Sequence, residues 1–242
     1  MKRIDEIGFG GLKLVQDTDS FCYGTDAILL AHAIWKDEVV AEKFKTIADL
    51  GTGNGIVPLI LSAKTKAKIL GIDVQEKAIE LANETAMLNN ISSRVSFIQG
   101  NVRDMKDIVR DAGAFDAVTM NPPYTEAGRG LVSPNKEKAI ARQEIEGTLK
   151  DFLEAAEYLL KPGGYLYMVH RPGRLTDIVE NMRMLKIEPK EMRFISGKPG
   201  EEPNILVIVG IKGGRNELKI LPEMSVRNVD GSFTEDMMAA YR

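Results

Sequence analysis

The chain has 242 residues, of which 44% are hydrophobic and 28% charged, with a net charge of −3. That composition supports a sizeable core and excludes wholesale disorder. It also excludes a strongly basic nucleic-acid binder, so any RNA or DNA contact has to come from a local patch. A single cysteine, Cys22, and two histidines, His32 and His170, exclude an internal disulfide and give no zinc spacing, so no metal is expected.

The first residues carry acids by position 5 and no apolar run of signal-peptide type. Residues 10–16 suggest a small hairpin. Tyr23-Gly24-Thr25-Asp26 leads into an apolar helix over 27–35, with Thr25 or Asp26 as its N-cap. That run contains His32 and is too short to span a bilayer. A cytoplasmic protein without a membrane partner is expected. Residues 1–45 read as an N-terminal appendage and 46–242 as the main domain.

From residue 46 strands and helices alternate. Residues 46–50 read as a strand, 56–63 as a short helix and 68–73 as a strand. Residues 75–89 carry Ala78, Ile79, Leu81, Ala82, Ala86 and Leu88 at helical spacing. Residues 94–99 are a third strand and 102–110 a weak helix. A strand over 115–120 follows, then a helix over 144–160 that Pro162-Gly163-Gly164 stops. Residues 165–170 are a strand, 175–185 a helix, and 192–195 and 205–211 two late strands. This alternation predicts an α/β, Rossmann-like, doubly wound, mostly parallel sheet of seven strands with helices on both faces. Ligands of such sheets bind beyond the carboxyl ends of the strands. The loops after Leu50, Asp73, Gln99 and Met120 therefore share one rim.

The first rim loop is Asp49-Leu50-Gly51-Thr52-Gly53-Asn54-Gly55. A nicotinamide-binding loop needs G-x-G-x-x-G, but the sixth residue from Gly51 is Ile56. A carboxylate at Asp49 repels a pyrophosphate and suits a ligand bearing an ammonium group. S-adenosylmethionine has an amino-acid end, a sulfonium and no phosphate. Asp73, followed by Val74, closes the second strand, where a carboxylate can accept both ribose hydroxyls. On the third loop, Asn101 (beside Val102) is the better candidate for the cofactor's adenine and Asp104 the second.

The fourth loop is Asn121-Pro122-Pro123-Tyr124, a proline-stiffened corner at a strand end. An amino group on an adenine ring is a poor nucleophile because its lone pair is delocalised. Two acceptors, the Asn121 side-chain carbonyl and the Pro122 backbone carbonyl, could grip its two N–H bonds and draw the nitrogen toward tetrahedral geometry. Tyr124 could stack on the base. Pro123 stiffens the corner. Neither histidine is needed for catalysis, and both read as structural.

The glycine loop over residues 49–55, Gly71-Ile72-Asp73 and Asn121-Pro122-Pro123-Tyr124, in that order and spacing, resemble the class I S-adenosylmethionine-dependent methyltransferases that act on amino nitrogens. The segment from Phe21-Cys22-Tyr23-Gly24-Thr25-Asp26 to Ala31 is similar to that of the bacterial tRNA(Val) adenine-N6-methyltransferase family. So are Ala141-Arg142-Gln143-Glu144, Leu159-Leu160-Lys161-Pro162-Gly163-Gly164 and Val169-His170-Arg171-Pro172-Gly173-Arg174. Gln143 departs from that family's pattern, where histidine is expected. The resemblance spans about residues 12–241. It implies N6-methylation of an adenosine beside a tRNA anticodon and a sheet whose last strand is antiparallel. It puts the target base on Asn121, Pro122, Pro123 and Tyr124, and the cofactor on Asp49, Gly51, Gly53 and Asp73, with Gly24 and Asp26 adjacent to the cofactor. Candidate phosphate contacts are Arg129, Lys136, Lys138, Arg142, Arg171 and Arg174, extended by Lys2, Arg3 and Lys13. Rival readings are a glutamine N5-methyltransferase acting on protein, a guanine N2-methyltransferase acting on ribosomal RNA, and a catalytically silent RNA-binding module.

Overall fold

Each central strand carries apolar side chains to both faces, as a sheet covered twice requires. In the computed structural model, which describes residues 2–17, 24–124 and 147–241, Ile47 and Ala117 lie in one core cluster. Ala48, Leu50, Val118 and Met120, of opposite parity, lie in a second.

Seven strands make the body of the sheet: β3 (Thr46–Leu50), β4 (Lys68–Asp73), β5 (Val95–Gln99), β6 (Phe115–Met120), β7 (Leu160–His170), β8 (Ile187–Ser196) and β9 (Ile205–Lys212). Their order is β8-β9-β7-β6-β3-β4-β5. The final long strand, β9, runs antiparallel to both neighbours, β7 and β8, and the remaining pairs are parallel. Two-residue strands β10 (Lys219–Ile220) and β11 (Met224–Ser225) extend the β8 edge, also in parallel.

On the first face pack α1 (Thr25–Trp35), α3 (Ile56–Lys64) and α4 (Glu76–Leu88). The short helices α2 (Glu38–Ala41) and α8 (Glu235–Ala240) close that side. On the second face lie α5 (Met105–Ile108), α6 (Leu149–Leu159) and α7 (Leu175–Met184). The N-terminal strands β1 (Lys2–Glu6) and β2 (Lys13–Asp17) form a separate antiparallel hairpin.

β2 runs along α4. Lys13 sits by Asn89 at the end of that helix, the Val15 N–H donates to Thr85 Oγ1 (3.1 Å), and Asp17 pairs with Lys77 in its first turns. The chain thus climbs from the far end of the sheet to the rim before α1 begins.

Several boundaries differ from expectation. The hairpin starts at residue 2 rather than 10, its turn lying between β1 and β2. The α1 N-cap is Gly24, in extended conformation and without a side-chain cap, so neither Thr25 nor Asp26 caps the helix. Gly147, at φ +107°, precedes α6, and Thr148 and Asp151 form a reciprocal capping box. Pro162-Gly163-Gly164 does not interrupt β7. Gly163, at φ +77°, lets the strand bulge, and pairing with β6 shifts from Phe115↔Leu160 to Ala117↔Tyr165. The segment over 102–110 is a 3₁₀ turn (Val102–Asp104) running into a single turn of α5.

Candidate active site

The register places three loops side by side. Leu50 lies opposite Ile72 on one side and opposite Met120 on the other. Neighbouring strands sit about 5 Å apart. The glycine loop therefore leaves the sheet between Asp73 and Asn121.

Gly51, Gly53 and Gly55 all have positive φ, +69°, +56° and +81°, a conformation that disfavours other residues. The Gly51 and Thr52 N–H groups both donate to the Ile72 carbonyl, at 2.8 and 3.0 Å, which pins the loop to the end of β4. Gly55 is also packed tight: a Cβ there would meet Phe97 at 2.8 Å and Ala82 at 3.1 Å. At Gly53 no described atom comes within 4 Å of such a Cβ. The loop therefore has one packed side and one open side. Asn54 is half-buried between them.

Asp73 anchors the turn that follows β4. Its Oδ2 accepts from the Gly53 N–H (2.8 Å) and its Oδ1 from the Gln75 N–H (2.9 Å). Burial raises its pKa, opposed by the N–H groups of Gln75, Gly53 and Val74. Each carboxylate oxygen retains a lone pair, so this acid can also accept from hydroxyls.

Asp49 is 2% exposed. Its Oδ1 accepts from the Thr119 hydroxyl at 2.6 Å, across the register pair Asp49↔Thr119. Burial pushes its pKa up to about 7, with the Asp73 charge adding to the rise and the Thr119 hydroxyl opposing it. Thr52 Oγ1 is buried close enough to Asp49 to oppose that rise, and has no hydrogen-bond partner among the described residues. A buried acid held near neutrality and an unsatisfied hydroxyl beside an open glycine turn fit a ligand that brings a cation and further polar groups. S-adenosylmethionine, with its ammonium and ribose, has that chemistry.

The Asn101 side-chain carbonyl accepts from the Arg103 N–H at 3.0 Å and caps the 3₁₀ turn, with Val102 buried beneath it; Asp104 is exposed. Pro122 is buried, and Asn121, Pro123 and Tyr124 are half-buried. The Tyr124 hydroxyl lies within donating distance of Asn121 Oδ1 (2.7 Å) and Asp26 Oδ2 (2.5 Å). The first turn of α1 is thus tied to the proline corner. The Arg171 guanidinium sits over the Tyr124 ring at 4.5 Å, and the His170 ring meets it edge-on at 5.2 Å. His170 is wholly buried, and burial lowers its pKa to about 4, so it is neutral. His32 packs on Trp35, and burial likewise lowers it to about 4. Both histidines are packed within the fold.

Thr119 and the Asp26–Tyr124 contact were missed in the sequence. Thr119 had a signal, as a polar residue in an apolar strand at the height of Asp49. The contact, between residues 98 apart, had none.

Among the candidate RNA contacts, Arg129, Lys136, Lys138 and Arg142 lie outside the described residues, as does Gln143. Arg171 is exposed at the rim, its guanidinium donating to the Asn204 carbonyl at 2.8 Å. Arg174 pairs with Asp177, Lys2 with Glu84 and Arg3 with Asp5. Lys13 does not extend a rim patch, because it sits at the opposite end of α4. Among the described residues no group of His, Cys, Asp and Glu is placed to hold a metal, and no helix is long and apolar enough to cross a membrane.

A family model described as a methyltransferase domain matches residues 41–203. The chain is 22% identical, over 90% of its length and 90% of the relative's, to the tRNA1(Val) (adenine(37)-N6)-methyltransferase of Shewanella baltica (strain OS195). Among solved structures, an Agrobacterium tumefaciens protein described as a predicted O-methyltransferase superposes with a TM-score of 0.71 at 22% identity, covering 89% of this chain and 95% of the other. The Thermus thermophilus 16S rRNA N2 G1207 methyltransferase, in complex with AdoMet and guanosine, gives 0.59 at 15% identity, over 88% and 50%. At these identities the superpositions establish a shared fold.

Proposed function

The chain belongs to the methyltransferase-domain family, and we propose that this S-adenosylmethionine-dependent enzyme methylates the exocyclic amine of an adenosine in tRNA. The observation that carries the reading is the register that sets Asn121 beside the glycine loop, since Met120 and Leu50 are paired. In this reading the acceptors for the amine and the open side of Gly53 share one cleft. The relative's tRNA-adenine activity supports the substrate class.

S-adenosylmethionine, when bound, supplies the electrophilic methyl of its sulfonium. Asp73 would accept its ribose hydroxyls, and Asp49 would face its ammonium. The Asn121 side-chain carbonyl and the Pro122 carbonyl accept from the two N–H bonds of the target amine. Fixed acceptors need no reorganisation as positive charge grows on the nitrogen. Tyr124 sets the position of the base. Arg171 contacts backbone phosphate at the cleft's edge. An anticodon-loop base is already partly unstacked, which lowers the cost of bringing it into such a site.

The test incubates the protein with methyl-labelled S-adenosylmethionine and, in parallel reactions, a pool of unmodified tRNA transcripts, unmodified ribosomal RNA transcripts or a peptide-release-factor protein, then identifies the labelled nucleoside or amino acid by mass spectrometry. N6-methyladenosine supports the reading. Label only in N2-methylguanosine, or only in protein glutamine, replaces the substrate while keeping the site. No label in any acceptor favours a silent RNA-binding module.

A further inference from the structure

An asparagine amide offers a carbonyl at one end and an NH2 at the other, and the two ends are nearly the same size. Gripping an amine by its N–H bonds requires the carbonyl. Shape alone does not decide which end faces the cleft, so the hydrogen-bond network must.

The Tyr124 hydroxyl stands between two candidate acceptors, Asp26 Oδ2 at 2.5 Å and Asn121 Oδ1 at 2.7 Å. It has one proton to give. Burial and the Asp26 charge push the Tyr124 pKa up, so the proton stays on the phenol. Of the two acceptors the carboxylate is the stronger, because a hydrogen bond to an ionised oxygen is shorter and roughly twice as strong as one between neutral groups. Once Asp26 accepts the phenol's hydrogen bond, the phenol oxygen presents only lone pairs to Asn121. The structure sets the carbonyl end, Asn121 Oδ1, against the phenol; with the phenol's hydrogen bond directed to Asp26, the favoured amide orientation is the reverse, NH2 end on the phenol and carbonyl end toward the cleft.

The ring is held so that the hydroxyl cannot swing away. Arg171 covers one face and His170 abuts the edge. The His170 orientation is fixed in turn, since its Nδ1 accepts from the Arg171 N–H at 2.8 Å. Asp26 sits in the first turn of α1, a helix with seven buried apolar residues, so the carboxylate is mounted on a rigid element.

We propose that Asp26 is a positioning residue for methyl transfer: by accepting the hydrogen bond of the Tyr124 hydroxyl it orients the Asn121 amide with its carbonyl toward the substrate amine. This rests on the amine-methylating reading above. It also gives Asp26 a role other than the cofactor contact expected from the sequence.

The reversed case gives the test. Without Asp26 the phenol proton goes to the Asn121 carbonyl, and the NH2 end faces the substrate. With phenylalanine at 124 neither end is held. Steady-state kinetics use methyl-labelled S-adenosylmethionine and the unmodified tRNA transcript pool. For Asp26→Ala, kcat falls on the order of 100-fold, as for a misplaced catalytic group, while the KM for S-adenosylmethionine holds. Adding Tyr124→Phe to Asp26→Ala raises kcat back to the level of Tyr124→Phe alone. A double variant slower than both single variants overturns the proposal. So does an Asp26→Ala enzyme with unchanged kcat and a raised KM for S-adenosylmethionine, which makes Asp26 a cofactor ligand.

If Asp26→Ala does not fold, Asp26→Asn replaces it. A neutral amide competes evenly with Asn121 for the phenol's hydrogen bond, so kcat falls less, and adding Tyr124→Phe again brings kcat to the level of Tyr124→Phe alone. A double variant slower than both single variants is contrary to the proposal. Should the wild type methylate no tRNA, the substrate reading fails and nuclear magnetic resonance decides the positioning claim alone. The Asn121 side-chain NH2 signals, identified by their loss in Asn121→Ala, are then hydrogen-bonded in the wild type and released in the Asp26 variant. Signals unchanged by the Asp26 substitution overturn it.

Discussion

Asp49→Asn separates folding from cofactor binding at one buried atom pair. In the unfolded chain this carboxyl titrates at its ordinary value of 3.8, and in the fold at about 7. At about 1.4 kcal/mol per pH unit, ionising Asp49 in the folded protein costs on the order of 4 kcal/mol more than in the unfolded chain. The group is almost fully buried, so solvent screens little of this. The sign follows from proton linkage. Below pH 4 both states hold the proton and no penalty exists. Between about pH 4 and 7 the fold binds the extra proton, and stability drops as pH rises. Above pH 7 the full penalty is present. An asparagine still accepts from Thr119 and never ionises. Asp73 is common to both proteins and cancels in their difference. Urea unfolding without cofactor should therefore find Asp49→Asn more stable than the wild type at pH 8, by up to about 4 kcal/mol, with the gain vanishing near pH 4. S-adenosylmethionine should reverse the ranking by restoring a cation to the wild-type acid. A variant less stable than the wild type at pH 8, or a gain independent of pH, would refute the reasoning.

Asp73→Ala should weaken S-adenosylmethionine binding by about 1–3 kcal/mol, the usual cost of unsatisfied polar partners; calorimetry reads this, and unchanged affinity removes Asp73 from the site. Asp116 tests the far end of the sheet. Its Oδ2 accepts from the Lys45 and Thr46 N–H groups at 2.7 and 2.9 Å, and its Oδ1 from Lys161 Nζ at 2.6 Å. Against a burial that would raise it, Lys161 and those N–H groups hold this carboxyl below the usual range. Its contribution is therefore present above the ordinary carboxylate pKa and lost as pH falls through the depressed one. Asp116→Ala should destabilise the protein by about 1–2 kcal/mol at neutral pH, with the difference from wild type shrinking in acid urea melts. Gly55→Ala combines φ +81° with a Cβ 2.8 Å from Phe97 and should cost about 1–3 kcal/mol by the same melts.

The sheet was legible because short apolar runs and 3.6-period helices alternate, and because Asp49, Asp73 and Asn121 each stand where an apolar strand ends. Where prediction missed, contacts distant in sequence had outweighed local pattern. Pro162-Gly163-Gly164 reads as a break, yet β6 pairs with β7 at Leu160 and again from Tyr165 and keeps the strand continuous through a bulge. The strand expected over 192–195 begins at Ile187, because β9 holds residues 187–191 in place despite Pro189 and the charges of Glu188, Lys190 and Glu191. Tyr124 was placed in the site from its proline context alone. What holds its hydroxyl is an acid nearly a hundred residues earlier, and no spacing rule reaches that far.

The corner itself is tested most directly by measuring N6-methyladenosine formed in the tRNA transcripts by wild type and by Asn121→Ala, both saturated with S-adenosylmethionine as checked by calorimetry. Product from the wild type alone, at equal cofactor affinity, is the predicted result. An Asn121→Ala enzyme that methylates at the wild-type rate would contradict a corner that activates the amine.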